Sequence, residues 1–202
     1  MWAVVGLGNP GRRYAGTRHN VGFLFVRKLA KQWQVRVRKR IFHSKAGVAK
    51  RNDEEILLAM PQTYMNQSGL AVKGILEGRN LEPEQVVVVY DDLDIPLGEI
   101  RIKEDGGPGS HRGMISIVEE IHTTRFPRIR IGIAPPDTER DTVQYVLSPF
   151  SKHQEPLLEK SLSRAVKALE LMLAGGVKKA MNIYNQRKKK GRAAFDEKSV
   201  IS

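Results

Sequence analysis

Residues that could activate a water molecule stand at two places in this chain. One is His19, whose neutral imidazole can take a proton from water when a carboxylate holds the ring. The other is the acidic group Asp91, Asp92 and Asp94, which follows the apolar run 86–90. If that run is a strand, its carboxyl end is where open α/β sheets place ligand sites. General-base hydrolysis by His19 and one carboxylate is the first hypothesis. A divalent-metal site or a solvated loop is the alternative for the acidic group.

A water nucleophile fits this inventory better than a side-chain nucleophile. The chain has no cysteine, which excludes thiolate chemistry, disulfides and thiolate metal sites. No serine stands in the G-x-S-x-G pattern of an activated serine hydrolase. Strand alternation places Tyr90 and Asp92 on one face and Asp91 on the other, so the carboxylates need not converge.

Asn9 lies in a glycine-rich turn that permits two interpretations. Residues 6–11 satisfy G-x-G-x-x-G directly after a predicted strand, as in dinucleotide-binding proteins. That fingerprint requires an acidic residue ~20 positions further on, and the first acidic residue of the chain is Asp53. The turn is better suited to placing the Asn9 carboxamide, which can donate and accept hydrogen bonds. A nicotinamide-dependent oxidoreductase would instead have to bind NAD or NADP.

Two further segments carry polar groups that suit binding. Asn66 precedes a predicted helix, where it either caps the helix or hydrogen-bonds a reacting carbonyl or water. Residues 106–113 form a glycine-rich loop that contains His111 and leads into another predicted helix. With Arg101 and Lys103 beside it, this loop is either a phosphate cradle or a mobile lid.

These groups need a scaffold, and the hydrophobic pattern indicates strands that alternate with helices. Short apolar, partly β-branched runs predict buried strands, and apolar residues recurring every three or four positions predict core-facing helices. The predicted strands are 3–7, 35–38, 56–60, 86–90 and 129–133, and the predicted helices are 21–33, 68–78, 113–122 and 152–173. This alternation predicts an α/β architecture in one domain, residues 1–186.

Basic charge is concentrated towards the two ends of the chain. The net charge is +12, and residues 1–52 contain thirteen Lys and Arg without one Asp or Glu. Residues 187–202 include a charge run without an apolar face, which predicts a mobile basic tail. This segregation favours a polyanionic partner, above all a nucleic-acid backbone, over a charge that only maintains solubility.

Composition and hydropathy give no indication of a membrane or of secretion. Apolar residues make up 41% of the chain, and the longest apolar runs are far shorter than the ~20 residues of a membrane span. The first residues carry no basic segment before their apolar stretch, so they do not predict a signal peptide. Together with the lack of cysteine, this leads us to expect a cytoplasmic protein.

Six polar segments stand in a characteristic order along the chain. They are 5–14, 17–22, 61–69, 91–98, 106–113 and 128–133. In this order and spacing, from residue 3 to about residue 185, they resemble the bacterial-type peptidyl-tRNA hydrolase family. One segment alone is a weak signal, whereas the ordered set is highly specific.

The resemblance implies hydrolysis of the ester that joins a peptide to the terminal ribose of tRNA. It also implies a single α/β domain with a mixed, twisted sheet flanked by helices. The protein would act on peptidyl-tRNA as a monomer, without cofactor, metal or obligate protein partner. An ester has a better leaving group than an amide, so one base and a few oriented dipoles can suffice.

The resemblance also implies residue roles. It assigns four residues to the chemistry: His19 as general base, Asp91 as its support, Asn9 as the contact to the peptide backbone, and Asn66 as the group that positions water and substrate. It assigns others to binding the tRNA end and its phosphates: Tyr14, Tyr64, Lys103, His111 and Arg130.

The chain departs from the family at Arg112, where much of the family carries an asparagine. An arginine cannot accept a hydrogen bond, so any role that needs an acceptor there is lost. A phosphate contact is the alternative role for Arg112.

A second function remains open for a chain with these motifs. Non-catalytic relatives of the same fold, of the chloroplast splicing-factor type, bind RNA without cleaving it. A protein of that kind would bind peptidyl-tRNA and never release the peptide.

Overall fold

The computed structural model describes residues 1–51, 53–134 and 141–186. Within them the predicted α/β architecture is confirmed, because seven strands form one mixed sheet with helices on both faces. The strands are β1 Trp2–Gly6, β2 Lys39–Ile41, β3 Ser44–Arg51, β4 Glu54–Pro61, β5 Val86–Pro96, β6 Ile100–Lys103 and β7 Arg128–Ala134. The helices are α1 Val21–Gln32, α2 Ser68–Arg79, α3 Arg112–Ile121, α4 Thr142–Leu147, α5 Glu155–Gly175 and α6 Val177–Tyr184. The predicted tail, 187–202, lies outside the described residues.

The strand order is β2-β3-β4-β1-β5-β7-β6. The four central strands β4, β1, β5 and β7 run parallel, and the outer strands pair antiparallel with their neighbours. Parallel strands end at the same edge of a sheet, so the segments that follow β1 and β4 and the end of β5 come together there. This edge carries the candidate site.

Two apolar cores, one on each face, hold the sheet between its helices. Helices α1 and α5 cover one face, and α2 and α3 cover the other. Because both faces are covered, the central strands are continuous apolar runs, as in residues 86–89, which are at most 1% exposed. Among the described residues no helix is both long enough and apolar enough to cross a bilayer.

Two glycines let α1 lie directly on the sheet. A Cβ at Gly6 would stand 2.1 Å from the carbonyl oxygen of Gly22, and a Cβ at Gly22 would stand 2.4 Å from that of Val89. Real side chains do not approach backbone so closely, so both positions require glycine. The start of α1, and with it His19, is therefore held against the ends of β1 and β5.

The glycine-rich turn does not lead into a helix, as a dinucleotide site would require. The residues after it form two short 3-10 turns, Arg12–Tyr14 and Arg18–Asn20, and α1 begins only at Val21. The described residues that directly follow the glycines therefore provide no helix N-terminus to cradle a pyrophosphate. The geometry does not support the dinucleotide alternative.

One predicted strand is absent, and the predicted end of another is wrong. Residues 35–38 are not a strand, because the N–H of Val35 donates back to the Ala30 carbonyl at the end of α1 (2.8 Å). Strand β5 runs past residue 90 to Pro96, because it keeps pairing with β7 as far as Gly132 and again at Ala134. Asp91 and Asp92 thus lie within the strand and not in a loop after it.

Candidate active site

A cavity of about 710 Å³ opens at the carboxyl edge of the parallel strands. The residues to which the family resemblance assigned a role, together with Arg112, all line it: Asn9, Tyr14, His19, Tyr64, Asn66, Asp91, Lys103, His111, Arg112 and Arg130. These residues come from separate turns, strands and helix starts. The fold brings them to one place, and their roles stay predictions.

His19 and Asp91 form the buried pair at the bottom of the cavity. Nδ1 of His19 lies 3.0 Å from each carboxylate oxygen of Asp91, whose side chain is 3% exposed. Burial would raise the pKa of Asp91, but His111 and His19 beside it hold this pKa well below its usual range. The carboxylate is therefore ionised and only accepts hydrogen bonds. Nδ1 of His19 must carry the proton, which leaves Nε2 with the lone pair that a base needs.

His111 is a second imidazole on the same carboxylate, a contact that the sequence did not predict. Its Nε2 lies 3.0 Å from Oδ1 of Asp91, and its Nδ1 accepts the Met114 N–H of α3 (3.3 Å). Because Nδ1 accepts, the proton of the neutral ring lies on Nε2 and points at Asp91. His111 is the N-cap of α3, a position where its side chain also satisfies a free helix N–H.

The same three groups could be considered as metal ligands. One ligand atom from each of His19, Asp91 and His111 lies within 4.8 Å of the others. A metal would need a lone pair on Nε2 of His111, where the Met114 N–H directs a proton instead. The hydrogen bonds fit a carboxylate between two imidazole donors better than they fit a metal centre.

The carboxamide of Asn9 is held in one orientation at the cavity. Its NH2 group has no hydrogen-bond partner among the described residues. Its Oδ1 accepts the Met65 N–H (2.8 Å), which sets the orientation of the carboxamide. Its backbone is held on both sides by Asn20, whose Oδ1 accepts the Asn9 N–H (2.8 Å) and whose Nδ2 donates to the Asn9 carbonyl (2.9 Å). The sequence suggested a group that both donates and accepts, but the structure leaves only the donor. Asn20 is a positioning residue that sequence reasoning missed.

Asn66 does not cap the helix that follows it, so that alternative is wrong. It lies in the 3-10 turn Met65–Gln67, and the N-cap of α2 is Gln67. The exposed Asn66 carboxamide has no hydrogen-bond partner among the described residues, and it lines the cavity. Tyr64, just before it, is 54% exposed and forms a wall of the same cavity.

Four cations share one face of β6 and β7 beside the cavity. Arg101 stands opposite Arg130, and Lys103 stands opposite Arg128, in the antiparallel register. Like charges directly opposite each other destabilise a strand pair. Asp92 pairs with Arg130 and Glu99 pairs with Arg101, which relieves part of this repulsion, whereas Lys103 makes no ion pair among the described residues. The face is therefore suited to binding an anion.

Comparison with known proteins identifies the family. Residues 3–192 match the family described as Peptidyl-tRNA hydrolase. The chain belongs to this family. It is 43% identical to the peptidyl-tRNA hydrolase of Persephonella marina, over 92% of this chain and 97% of the relative. It is 45% identical to that of Aquifex aeolicus, over 91% and 95%. The crystal structure of the Acinetobacter baumannii peptidyl-tRNA hydrolase matches with a TM-score of 0.86 at 35% identity, over 93% of this chain and 96% of that one.

In this peptidyl-tRNA hydrolase family member, one wall of the cavity is apolar. Val143 of α4 is 52% exposed and Leu147 is 39% exposed, and both face the cavity with Val146. Arg18, next to His19, ties this helix down, because its guanidinium donates to the carbonyls of Tyr145 and Ser148. Sequence reasoning missed this wall, since a six-residue helix gives too short a pattern to recognise.

Arg128 anchors the glycine-rich loop of this family member. The side chain is 1% exposed and donates to the carbonyls of Gly107 (3.1 Å) and Thr124 (2.9 Å). The guanidinium also lies over the ring of Phe126, 4.3 Å from its centroid. The loop that carries His111 and Arg112 is thus tied to β7. The only signal in the sequence was an arginine just before the predicted strand 129–133.

Proposed function

We propose that this protein hydrolyses the ester between peptide and tRNA in peptidyl-tRNA, using a water molecule activated by His19. The observation that carries this is the ionised, buried Asp91, which accepts from Nδ1 of His19 and leaves Nε2 as a base inside the cavity. The family relatives act on peptidyl-tRNA according to their names. An ester is the bond that such a mild base can hydrolyse.

The reaction follows from the groups around His19. Nε2 takes a proton from water, and the water oxygen attacks the ester carbonyl carbon. The unpaired NH2 groups of Asn9 and Asn66 are the donors available to the substrate carbonyls and to the oxygen on which charge develops. When the tetrahedral intermediate collapses, the ribose oxygen leaves and takes the proton from His19, which restores the base.

Binding of the tRNA end is assigned to residues around the rim. We infer that Tyr14 and Tyr64 contact the terminal nucleotides, that Lys103 and Arg130 hold phosphate, and that His111 and Arg112 face the substrate from the glycine-rich loop. From the family resemblance we also propose a monomer without an obligate protein partner or cofactor. We place its action in the cytoplasm, where translation supplies the substrate, and its catalytic unit in residues 1–186.

The non-catalytic RNA-binding alternative is not supported by the comparisons. The relatives that match over more than nine-tenths of the chain are named as hydrolases.

Release of labelled peptide from purified peptidyl-tRNA under multiple turnover tests the proposal directly. A diacetyl-lysyl-tRNA substrate is suitable. We expect free peptide and free tRNA in equal amounts, with many turnovers per protein. Tight binding of the substrate without any release would overturn the proposal.

A further inference from the structure

A second basic surface lies at the opposite edge of the sheet from the cations of β6 and β7. Residues 36–51 contain seven Lys and Arg and no acidic residue. We call the strand pair β2–β3 with its leading residues 36–38 the basic hairpin. Six of its cations make no ion pair among the described residues: Arg36, Arg38, Lys39, Arg40, Lys45 and Arg51.

The charges of the basic hairpin oppose each other across the strands. Arg40 pairs directly with Lys45 in the antiparallel register, and no carboxylate stands nearby on either strand. Like charges at such a position destabilise the pair in the free protein. A bound polyanion would remove this repulsion, and the release of its counterions would favour binding.

The turn of the basic hairpin is held in a fixed position. Phe42 and His43 form a two-residue turn with positive φ (49° and 51°), which side chains other than glycine adopt at a cost. Phe42 is anchored against α2 so closely that a Cβ at Gly78 would lie 2.0 Å from its ring. The Gln62 N–H donates to the His43 carbonyl (2.7 Å). The strained turn is therefore kept by specific packing, which indicates a preorganised surface and not a loose edge.

The turn of the hairpin lies at the edge of the sheet that carries the cavity. Ser44 pairs with Pro61, the last residue of β4, and Tyr64 and Asn66 follow β4. From this edge, the cations extend back along the outermost strand. That strand is four positions from β5, or roughly 19 Å at ~4.8 Å per strand. The terminal nucleotide at His19 cannot also reach it.

We propose that the basic hairpin binds the phosphate backbone of the tRNA body while the ester lies at His19. This rests on the proposed function, because the RNA is the one whose 3′ end occupies the cavity. The basic hairpin increases the affinity for tRNA and takes no part in cleavage of the ester. Phosphate contacts of this kind carry no base specificity.

Protection of the sheet edge is the competing explanation for these charges. Exposed edge strands commonly carry lysine to prevent pairing with another chain. Protection needs only scattered charge. It does not predict a rigid turn, or the direct opposition of Arg40 and Lys45 in the part of the hairpin without carboxylates.

The experiment compares two substrates and two charge-matched variants. The hairpin variant carries Arg38→Gln, Lys39→Gln and Arg40→Gln. The control variant carries Lys167→Gln, Lys178→Gln and Lys179→Gln, which are exposed on α5 and α6. Both lose three positive charges. The substrates are full-length peptidyl-tRNA and a peptidyl-CCA trinucleotide, and the Kd for deacylated tRNA is measured in parallel.

For the hairpin variant we expect KM on full-length peptidyl-tRNA to rise about tenfold or more, and the salt slope of log K to flatten by about 0.7 to 0.9 per lost contact. Its kcat, and its kcat/KM on the trinucleotide, should equal those of the natural protein. The control variant and the charge-preserving variant Arg38→Lys/Arg40→Lys should bind normally.

Three results would overturn the proposal: an unchanged KM and Kd with full-length tRNA, an equal loss in the control variant, or an equal loss on the trinucleotide. Self-association of the hairpin variant with unchanged tRNA affinity would assign the charges to edge protection. If the natural protein cleaves neither substrate, the proposed function fails, whereas the Kd for deacylated tRNA still decides the role of the hairpin.

Discussion

The carboxylate at the bottom of the cavity and the cations beside it differ in how fully their charges are compensated by neighbouring groups. Asp91 is almost fully buried, and both of its oxygens accept hydrogen bonds from imidazole rings. The cations of β6 and β7 stand opposite one another with too few acidic partners, and Lys103 reaches towards solvent with none among the described residues. The charge of Asp91 is compensated without substrate, whereas the positive charge of the cations is compensated only in part.

The difference indicates which step each region serves. A buried, fully hydrogen-bonded cluster holds its geometry at no further cost during the reaction, so changes there should lower kcat. An exposed cation such as Lys103, which makes no ion pair among the described residues, acts at long range and is screened by salt, so changes there should raise KM and alter its salt dependence. Mutations in each region test this division between effects on kcat and effects on KM.

The largest effect is expected for His19→Ala. Without Nε2 no base remains beside the water, and we expect kcat to fall by roughly 10³-fold, within the usual range for a general base. Affinity for tRNA should stay nearly unchanged. Peptide release and filter binding of deacylated tRNA measure the two quantities. The exposed His153 offers a matched control, since His153→Ala should change neither turnover nor tRNA affinity. Equal loss of binding and turnover in His19→Ala would refute the assignment.

Asp91→Asn should lower kcat less, on the order of 10²-fold, because His19 keeps its lone pair but loses the charge that supports it. KM should change little. Single-turnover rates at saturating enzyme give the effect on the chemical step. A variant with full activity would show that the buried charge is structural only.

The same substitution should change acid stability. The pKa of Asp91 is lowered in the fold, so its contribution to stability is present above the unfolded value of about 3.9 and is lost as pH falls below it. In that window Asp91→Asn should reduce the slope of the unfolding free energy by up to about 1.4 kcal/mol per pH unit. Urea unfolding at a series of acidic pH values measures this. An identical slope in both proteins would contradict the lowered pKa.

Lys103→Gln should raise KM several-fold without changing kcat, and should flatten the salt slope of binding by about 0.7 to 0.9 for one lost phosphate contact. Arg130→Gln should have the same direction of effect, and it also leaves Asp92 without its partner. KM measured at several salt concentrations tests both. An unchanged slope would remove these residues from tRNA binding.

The smallest effect is expected for His111→Asn. Asparagine can still cap α3 by accepting the Met114 N–H, so the thermal unfolding midpoint should hold. It is shorter than histidine and loses the contact to Asp91, so kcat should fall by a few-fold. His111→Ala also removes the cap and should cost about 1 kcal/mol of stability. If both variants have the same kcat and stability as the natural protein, the second imidazole is unimportant.

Sequence patterns alone predicted the central strands and the main helices, and the family resemblance supplied the candidate site residues that line the cavity. The central strands β1, β4, β5 and β7 are short apolar runs because both of their faces are covered, and this periodicity is local information. The same holds for α1, α2, α3 and α5. The outer strands β2, β3 and β6 escaped prediction, because each is short or polar and is defined by its neighbour and not by its own residues.

Only the tertiary structure decided which groups are in contact and which hydrogen-bond donors and acceptors remain available for a substrate. Asp91 acquires two imidazoles from segments 72 and 20 positions away, and Asn9 loses its acceptor to the Met65 N–H, 56 positions away. Like charges on neighbouring strands became visible only once the register was known. Residue types and spacing determine what chemistry is available, whereas hydrogen-bond partners, protonation and charge balance depend on distances of a few ångströms between residues far apart in the chain. No local pattern contains those distances.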